Sequence, residues 1–425
     1  MKKTSPLSAF LSILMFLLLL AFLSTVPVYA DLSWDIQIVD EDASGIGYGF
    51  CPIVVDSDDN PHIAYRGHPY ARYASWNGSG WNIQQLATYA FTHDLALDAN
   101  GNPRITLQNS YATWNGTGWD SQTFTSDGGV FSSLALDSSG NPHVAYITGD
   151  KLKYASQNGS NWTIQTVTVD SNLPGINMHL SLALDSNDTP YIMYYTHSSF
   201  VDDNGVEVRS VNVKLAVWKN SRWTIEPVLS SSNLINFGNM VLDSKGYPHF
   251  ICSTGHFISP DVPGFLSTIL YVSWDGSAWG GSAWNIQTVA SDVNVASLRG
   301  FLALSPHDYP SIVYIADGVK YARWTGTAWE SYSIDTPDTV RDASGPCYLA
   351  LDSNGAPHIS SRVFLFGQML YPGYTSTILY ATANITEPEV SPTFPDSPLL
   401  IVSAAIIIGT VIAVIAYVWK KKTKH

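Results

Sequence analysis

One motif, Leu-Ala-Leu-Asp-Ser-x-Gly-x-Pro-His-x-x-Tyr or a close variant, returns seven times along the chain. Its aspartate falls at Asp56, Asp98, Asp137, Asp185, Asp243 and Asp352, and one copy, Leu302 to Tyr314, carries Ser305 in that place. Successive copies are 42, 39, 48, 58, 62 and 47 residues apart. A repeat of roughly 40 to 50 residues with several short strands has the size of one β-propeller blade, a unit that buries its faces only by stacking on neighbours. The spacing therefore predicts an all-β chain: a seven-bladed β-propeller of four-stranded antiparallel blades.

The third repeat shows how one blade is written. Ser133 to Asp137 is a short apolar strand, and Ser138-Ser139-Gly140-Asn141 is turn chemistry. Strands are predicted at His143 to Tyr146, Lys151 to Gln157 and Trp162 to Val169, with Asn158-Gly159 as a tight hairpin between the last two. The third turn recurs between paired tryptophans, as in Trp76 to Trp81, Trp114 to Trp119, Trp218 to Trp223 and Trp324 to Trp329.

The last repeat lacks its Trp-containing fourth strand, and the amino-terminal end supplies a match. Trp34-Asp35-Ile36-Gln37 repeats the pattern of Trp81-Asn82-Ile83-Gln84 and Trp162-Thr163-Ile164-Gln165. The propeller, residues 31–383, is thus predicted to close by an N-terminal strand completing the last blade, which removes an exposed sheet edge. Cys51 and Cys347 occupy the same register in the first and last repeats. Closure makes those repeats neighbours, so the pair is either two buried thiols or a disulfide; equivalent points on adjacent blades usually exceed the ~7 Å that a disulfide tolerates, which favours thiols.

With these repeats the chain resembles secreted seven-bladed β-propellers of prokaryotic, archaeal-type surface proteins. Its third turn is similar to a degenerate Asp-box of the sialidase-like (BNR repeat) superfamily, Ser-x-Asp-x-Gly-x-x-Trp. The nearest stretch, Ser273-Trp274-Asp275-Gly276-Ser277-Ala278-Trp279, is one residue short, and most other copies have Asn for Asp. The resemblance implies a propeller fold, with the boxes themselves structural.

The two ends of the chain have a different character. Residues 1–30 pair Lys2 and Lys3 with an apolar run, Leu11 to Leu23, and end in Val28-Tyr29-Ala30, the pattern of a cleaved signal peptide. Residues 399–419 are apolar and uncharged, long enough to span a bilayer as a C-terminal transmembrane helix, and residues 420–425 form a basic cytoplasmic tail. Residues 384–398, with Pro388, Pro392, Pro395 and Pro398, suit a stalk. The expected localisation is the cell membrane, single-pass, with the N-terminal domain extracellular. The formal net charge is −14 despite six terminal lysines, so nucleic acid is not an expected partner.

Strand order places the first-to-second and third-to-fourth turns on one face, and the connections that vary in length on the other. Insertions at Ser198 to Val208, Ser253 to Ser267 and Val363 to Ser376 mark this second face, and variable loops on a rigid ring are where binding residues gather. The candidate ligand-binding residues there are Arg66, His68, His93, Asp94, His179, His256, Arg299, Arg341, Asp342, Arg362 and Tyr371. Arginines within an acidic protein suit an anionic or polyhydroxyl ligand; the same residues also suit ordinary loop pairing with nearby carboxylates. No spacing identifies a catalytic set.

Other motifs have structural readings. One Trp register per blade is expected of a repeat that packs on its neighbours, with stacking on sugar rings as the alternative. His62, His143, His249 and His358 are a blade apart and so unsuited to a shared metal. Asp56-Ser57-Asp58-Asp59-Asn60 is the stretch closest to a calcium loop, and it is also ordinary turn chemistry; no cofactor other than calcium is suggested. Asn77, Asn115, Asn158, Asn161, Asn187 and Asn384 stand in glycosylation sequons. The expected role is recognition or adhesion towards a cell-surface glycan or protein, with a sialidase-like or other glycan-active enzyme on the loop face, or an architectural envelope component, as alternatives.

Overall fold

The computed structural model describes residues 32–385 except 45–48, 68–69, 89–90, 128–130, 174–179, 202–206, 233, 260–261, 275, 277–283, 294–299, 317, 335–339, 343–345 and 366–374. All described residues belong to one compact unit. The expected signal peptide, membrane helix and basic tail lie outside the described residues, as does the stalk after Ile385. No helix among the described residues is long and apolar enough to cross a membrane.

The amino-terminal strand β1 is Trp34–Ser44. Blade 1 then comprises β2 (Ile53–Val55), β3 (Pro61–Arg66), β4 (Tyr70–Trp76) and β5 (Trp81–Thr88). Blade 2 is β6 (Thr92–Leu97), β7 (Pro103–Leu107), β8 (Ser110–Trp114) and β9 (Trp119–Thr123). Blade 3 is β10 (Phe131–Leu136), β11 (Pro142–Thr148), β12 (Lys151–Asn158) and β13 (Asn161–Val169). In blade 4 come β14 (Ser181–Leu184), β15 (Pro190–Val201), β16 (Glu207–Lys219) and β17 (Arg222–Ser231). Blade 5 has β18 (Leu234–Leu242), β19 (Pro248–Ser259), β20 (Val262–Trp274) and β21 (Trp284–Val293). Blade 6 has β22 (Phe301–Leu304), β23 (Pro310–Ile315), β24 (Val319–Trp324) and β25 (Trp329–Ile334). A short strand, β26 (Val340–Asp342), precedes blade 7, whose chain-order strands are β27 (Cys347–Leu351), β28 (Pro357–Leu365) and β29 (Thr375–Ala383).

Each sheet is ordered as its strands follow in the chain, except that blade 7 takes β1 as its outermost strand. The pairing runs antiparallel from Trp34 against Ala383 to Ser44 against Thr375. The ring is thus closed by mixed termini. Two of the expected loop insertions are largely strand: β15 and β16 stay paired out to Val201 and Glu207, and β19 and β20 out to Ser259 and Val262. Alternating Val, Tyr, Phe and Thr residues let the ladder continue past the ring as long hairpins.

Seven buried apolar clusters hold the ring, each bridging two neighbouring blades. At the closing interface Val39 of β1 packs with Ile53, Ile63 and Tyr65 of blade 1 and Ile378 of β29. Burying each such side chain contributes about 1.5–3 kcal/mol, so closure rests on packing as well as on the ladder.

The tryptophans stitch neighbouring blades together. Trp81, Trp119, Trp223 and Trp329 each donate their indole N–H to a glutamine of the preceding blade, Gln37, Gln84, Gln165 and Gln287, at 2.9–3.1 Å. Each also meets a tyrosine of that blade edge-on, as Trp119 does Tyr73. The glutamine stands three residues after the preceding blade's own Trp, so Trp-x-x-Gln is a signature of the interface. Packing, rather than an open sugar platform, occupies these rings.

The first-to-second turns form a second girdle. The motif aspartate accepts the backbone N–H groups two and four residues on, as Asp137 does from Ser139 and Asn141. Within the blade it faces the histidine after the proline, which in turn contacts a tyrosine on the third strand: Asp56–His62–Tyr73, Asp137–His143–Tyr154, Asp243–His249–Tyr271 and Asp352–His358–Tyr380. Blade 2 substitutes Arg104 against Asp98. Four copies of an Asp–His–Tyr relay, each inside its own blade, are a fold device.

Three turns break the glycine pattern in a correlated way. The left-handed turn position is Gly101, Gly140, Gly246 or Gly355 in four blades, but Asp59, Asp188 and Asp308 in the others, at φ of 60–64°. Each of these aspartates accepts both the backbone N–H and the hydroxyl of a serine on the preceding blade: Ser353, Ser138 and Ser244 respectively. Two bonds to a charged acceptor offset the strain of a non-glycine residue in that conformation. The Asp59–Ser353 clasp spans the ring's closure.

Candidate functional site

The innermost strands β2, β6, β10, β14, β18, β22 and β27 run from the long-hairpin face towards the Asp-Ser turns, so the residues at their starts surround the axis on the variable face. There the structure holds a cavity of about 210 Å³. Its described lining divides into two aromatic groups and a polar band. Phe50, His93 and Phe131 form one aromatic group, with His93 stacked on Phe131 and Phe50 edge-on to both. Phe301 and Tyr348 form the other, ring centroids 3.9 Å apart.

The polar band is a set of rungs between blades. The residue just before each repeat's Leu-Ala-Leu is Asp94, Ser133, Ser181 and Asn239 in blades 2 to 5. Each accepts the backbone N–H of the next blade's first motif residue: Asp94 from Leu134 at 2.8 Å, Ser133 from Leu182 at 3.1 Å, Ser181 from Met240 at 3.0 Å and Asn239 from Leu302 at 2.7 Å. The corresponding residues of blades 6 and 7 are Phe301 and Tyr348, which stack instead. Gly300, two residues before Leu302, lies close against β23 of its own blade: a Cβ there would be 2.3 Å from the Val313 carbonyl oxygen.

Asp94 and His93 give the cavity its titratable chemistry. Asp94 accepts from Leu95 N, Ser133 Oγ and Leu134 N, yet burial outweighs these donors and raises its carboxyl to about 6. Burial lowers His93 to about 4, so its imidazole is neutral across the physiological range. Its Nδ1 lies 3.1 Å from Ser132 Oγ. No Lys or Arg is among the described lining residues.

The other expected site residues fall elsewhere. Arg66 ends β3, lies over the Phe91 ring at 4.0 Å, and is depressed from its ordinary pKa by burial. Arg362 is 2% exposed, donating from Nη1 to Ser376 Oγ at 3.0 Å and from Nη2 to the Arg66 carbonyl at 2.8 Å. Its Nε is buried without a partner, and Gly49 packs so closely that a Cβ there would come within 2.5 Å of the guanidinium carbon. Thus Arg362 supports the interface between blades 7 and 1 rather than projecting from the face. Arg341 and Asp342 lie in β26, which pairs with the tip of β28, and His256 lies in β19 opposite Leu266. His68, His179, Arg299 and Tyr371 are outside the described residues.

Cys51 and Cys347 are buried thiols not joined in a disulfide, with Cys51 Sγ 3.5 Å from the Pro346 carbonyl. Burial raises Cys51 to about 11 and Cys347 further still, so neither is a poised nucleophile. Among the described residues no group of three or more His, Cys, Asp or Glu is placed to hold a metal ion. In the Asp56 turn the carboxylate accepts from Asp58, Asn60 and His62, and Asp59 is held by Ser353. The six sequon asparagines are all exposed.

Sequence reasoning selected His93 and Asp94 as loop residues without seeing that they share a cavity with Phe50, Phe131, Asn239, Phe301 and Tyr348. The missed signal is positional: these residues all precede the repeated Leu-Ala-Leu, and they differ from blade to blade where the motif after them does not.

Fold and cavity together define a seven-bladed β-propeller with an axial pocket on its variable face. Solved structures share this fold. A catalytically inactive virginiamycin B lyase from Staphylococcus aureus with quinupristin is 11% identical, covering 82% of this chain and 99% of its own with a TM-score of 0.52. An ulvan lyase, from a new family of polysaccharide lyases, is 12% identical over 80% of this chain and 95% of its own, also with a TM-score of 0.52. At such identity the likeness is one of fold alone. No family model matches the chain, and no curated protein matches it.

Proposed function

We propose that this protein is a recognition module, held outside the cell by its C-terminal apolar segment, whose axial pocket receives one protruding group of a surface glycan or protein. The observation that carries this reading is the axial cavity, where the repeat's uniformity gives way to blade-specific aromatic and polar side chains. At about 210 Å³ it lies below the roughly 300–1,000 Å³ of drug-sized ligand sites, so it suits a single ring or head group of a larger partner. Recognition by a pocket on a rigid ring needs no catalytic set among its lining residues.

A second reading, a glycan-active enzyme, draws support from His93, a neutral imidazole among the cavity's lining residues and thus able to accept a proton. A sialidase-like version lacks support in the described lining, which has no arginine. Asp-box kinship and an archaeal-type origin rest on the sequence patterns alone.

The test is a glycan-array screen of the full chain in detergent, with and without calcium, repeated with Leu180→Trp to fill the cavity. Retention of an intact glycan that Leu180→Trp abolishes is the expected result. Release of a cleaved product makes the enzyme reading the better one, and an absence of binding to glycans and to surface-protein extracts favours the architectural role.

A further inference from the structure

The rungs around the axis show that Asp94 carries a charge its structural task does not require. Ser133, Ser181 and Asn239 make the same bond to the next blade with neutral side chains. A carboxylate in that position bears a desolvation penalty that a neutral acceptor would avoid. No cation among the described lining residues balances it, and His93 beside it is neutral. The same cavity is lined by aromatic rings, Phe50, His93 and Phe131 from the side of blades 1 to 3 and Phe301 and Tyr348 from blades 6 and 7. An unneutralised carboxylate in a cavity of single-group size that is lined by aromatic rings is chemistry that suits a cation, by charge and by ring quadrupole together.

We propose that the axial pocket selects a compact ammonium group, presented by a lysine side chain or by an amino sugar. The inference rests on the pocket being the recognition site and specifies what it recognises. Asp94 supplies the charge, and the aromatic groups supply the walls that exclude water and favour a cation over a neutral group of the same size. Arg362, the buried cation of the neighbouring interface, is not among the lining residues.

The experiment is isothermal titration of the full chain in detergent with four probes: Nα-acetyl-lysine methylamide, its Nε-acetylated form, glucosamine and N-acetylglucosamine, with acetate as the anionic control. A preference of at least about tenfold for the amine over its acetylated counterpart is expected in the lysine pair, the sugar pair or both, and whichever pair shows it identifies the source. Asp94→Asn should abolish that preference while leaving the fold intact, since Asn239 makes the same rung with an amide. Phe131→Leu, which keeps apolar bulk but removes a ring, should weaken the amine by roughly three- to thirtyfold and leave the acetylated probe unchanged. Acetylated probes binding as well as the amines, with Asp94→Asn indifferent, would overturn the ammonium assignment and leave the pocket as a neutral-sugar site. A preference for acetate would overturn it in favour of an arginine-based site. Amine binding that survives Leu180→Trp would overturn the pocket itself as the recognition site.

Discussion

The two ends of the propeller axis obey different rules. At the turn end the polar contacts follow the repeat: motif aspartates hold their own turns, histidines and tyrosines relay within four blades, and three Asp–Ser clasps tie neighbouring blades. At the hairpin end the repeat dissolves into Asp94, Asn239, Phe301 and Tyr348 at one register, with the neutral His93 beside them. Repetition marks what the ring needs to stand, and departure from repetition marks what this ring alone does. Chemistry that looks catalytic at the turn end, an Asp–His–Tyr relay, is structural because it occurs four times.

The sharpest way to break that contrast is at the hairpin end's backbone. Gly300→Ala drives a Cβ into the Val313 carbonyl, a contact no rotamer can relieve. Overpacking of that kind is expected to remove about 3 kcal/mol of stability, measured by chemical denaturation. A change below about 0.5 kcal/mol would mean that β23 does not hold Gly300 at this close approach.

Next in size is the pH dependence of Asp94. Its carboxyl is raised from 3.8 to about 6 in the folded state, so the folded chain binds this proton more readily than the unfolded one. Its contribution to stability is therefore greatest below about pH 4, declines as pH rises through the 4–6 window, and stays low above it. His93, lowered from 6.5 to about 4, acts in the opposite sense, losing stability as pH falls through that interval. Comparing Asp94→Asn with the parent isolates the aspartate. The amide keeps one acceptor where the carboxylate has two, so the readout is the change with pH: the variant's stability relative to the parent should fall by on the order of 2 kcal/mol between pH 7.5 and pH 4. A gap constant with pH would remove the premise that this charge is held at a structural loss.

At the turn end the clasps give a smaller effect with an internal control. Asp59→Ala should lower stability by about 1 kcal/mol through loss of both bonds from Ser353. Asp59→Gly should lose less, because glycine relieves the left-handed backbone, φ 63°. Thermal melts of the pair check the order. The smallest effect separates two tryptophans: Trp119 donates to Gln84, whereas the buried Trp162 indole N–H has no partner. Replacement by Phe should therefore cost about 1 kcal/mol more at Trp119 than at Trp162.

Much of the turn end was legible in the sequence, because strand period, turn residues and Trp spacing repeat at fixed offsets. The strands of blade 3 and the closing strand at Trp34 follow from that register. The alternation of Asp59, Asp188 and Asp308 with glycine was also written there, but its meaning depends on which blade's serine lies alongside. Less of the hairpin end could be read. Arg362 has the composition of a surface binding residue and sits inside the interface, because β28 continues past its motif and carries it under Gly49. His93 and Asp94 were visible as unusual residues, but only the ring's curvature brings them to the same cavity as Tyr348, some 250 residues later.

Hydrogen–deuterium exchange of the full chain, with and without a glycan or protein ligand found by screening, tests the central claim most directly. Protection is expected at the segments that begin the innermost strands, residues 49–54, 91–97, 131–134, 180–182 and 238–240, with the Asp-Ser turns unchanged. Protection confined to those turns, or to the outer Trp-bearing strands, would contradict the assignment of function to the axial pocket.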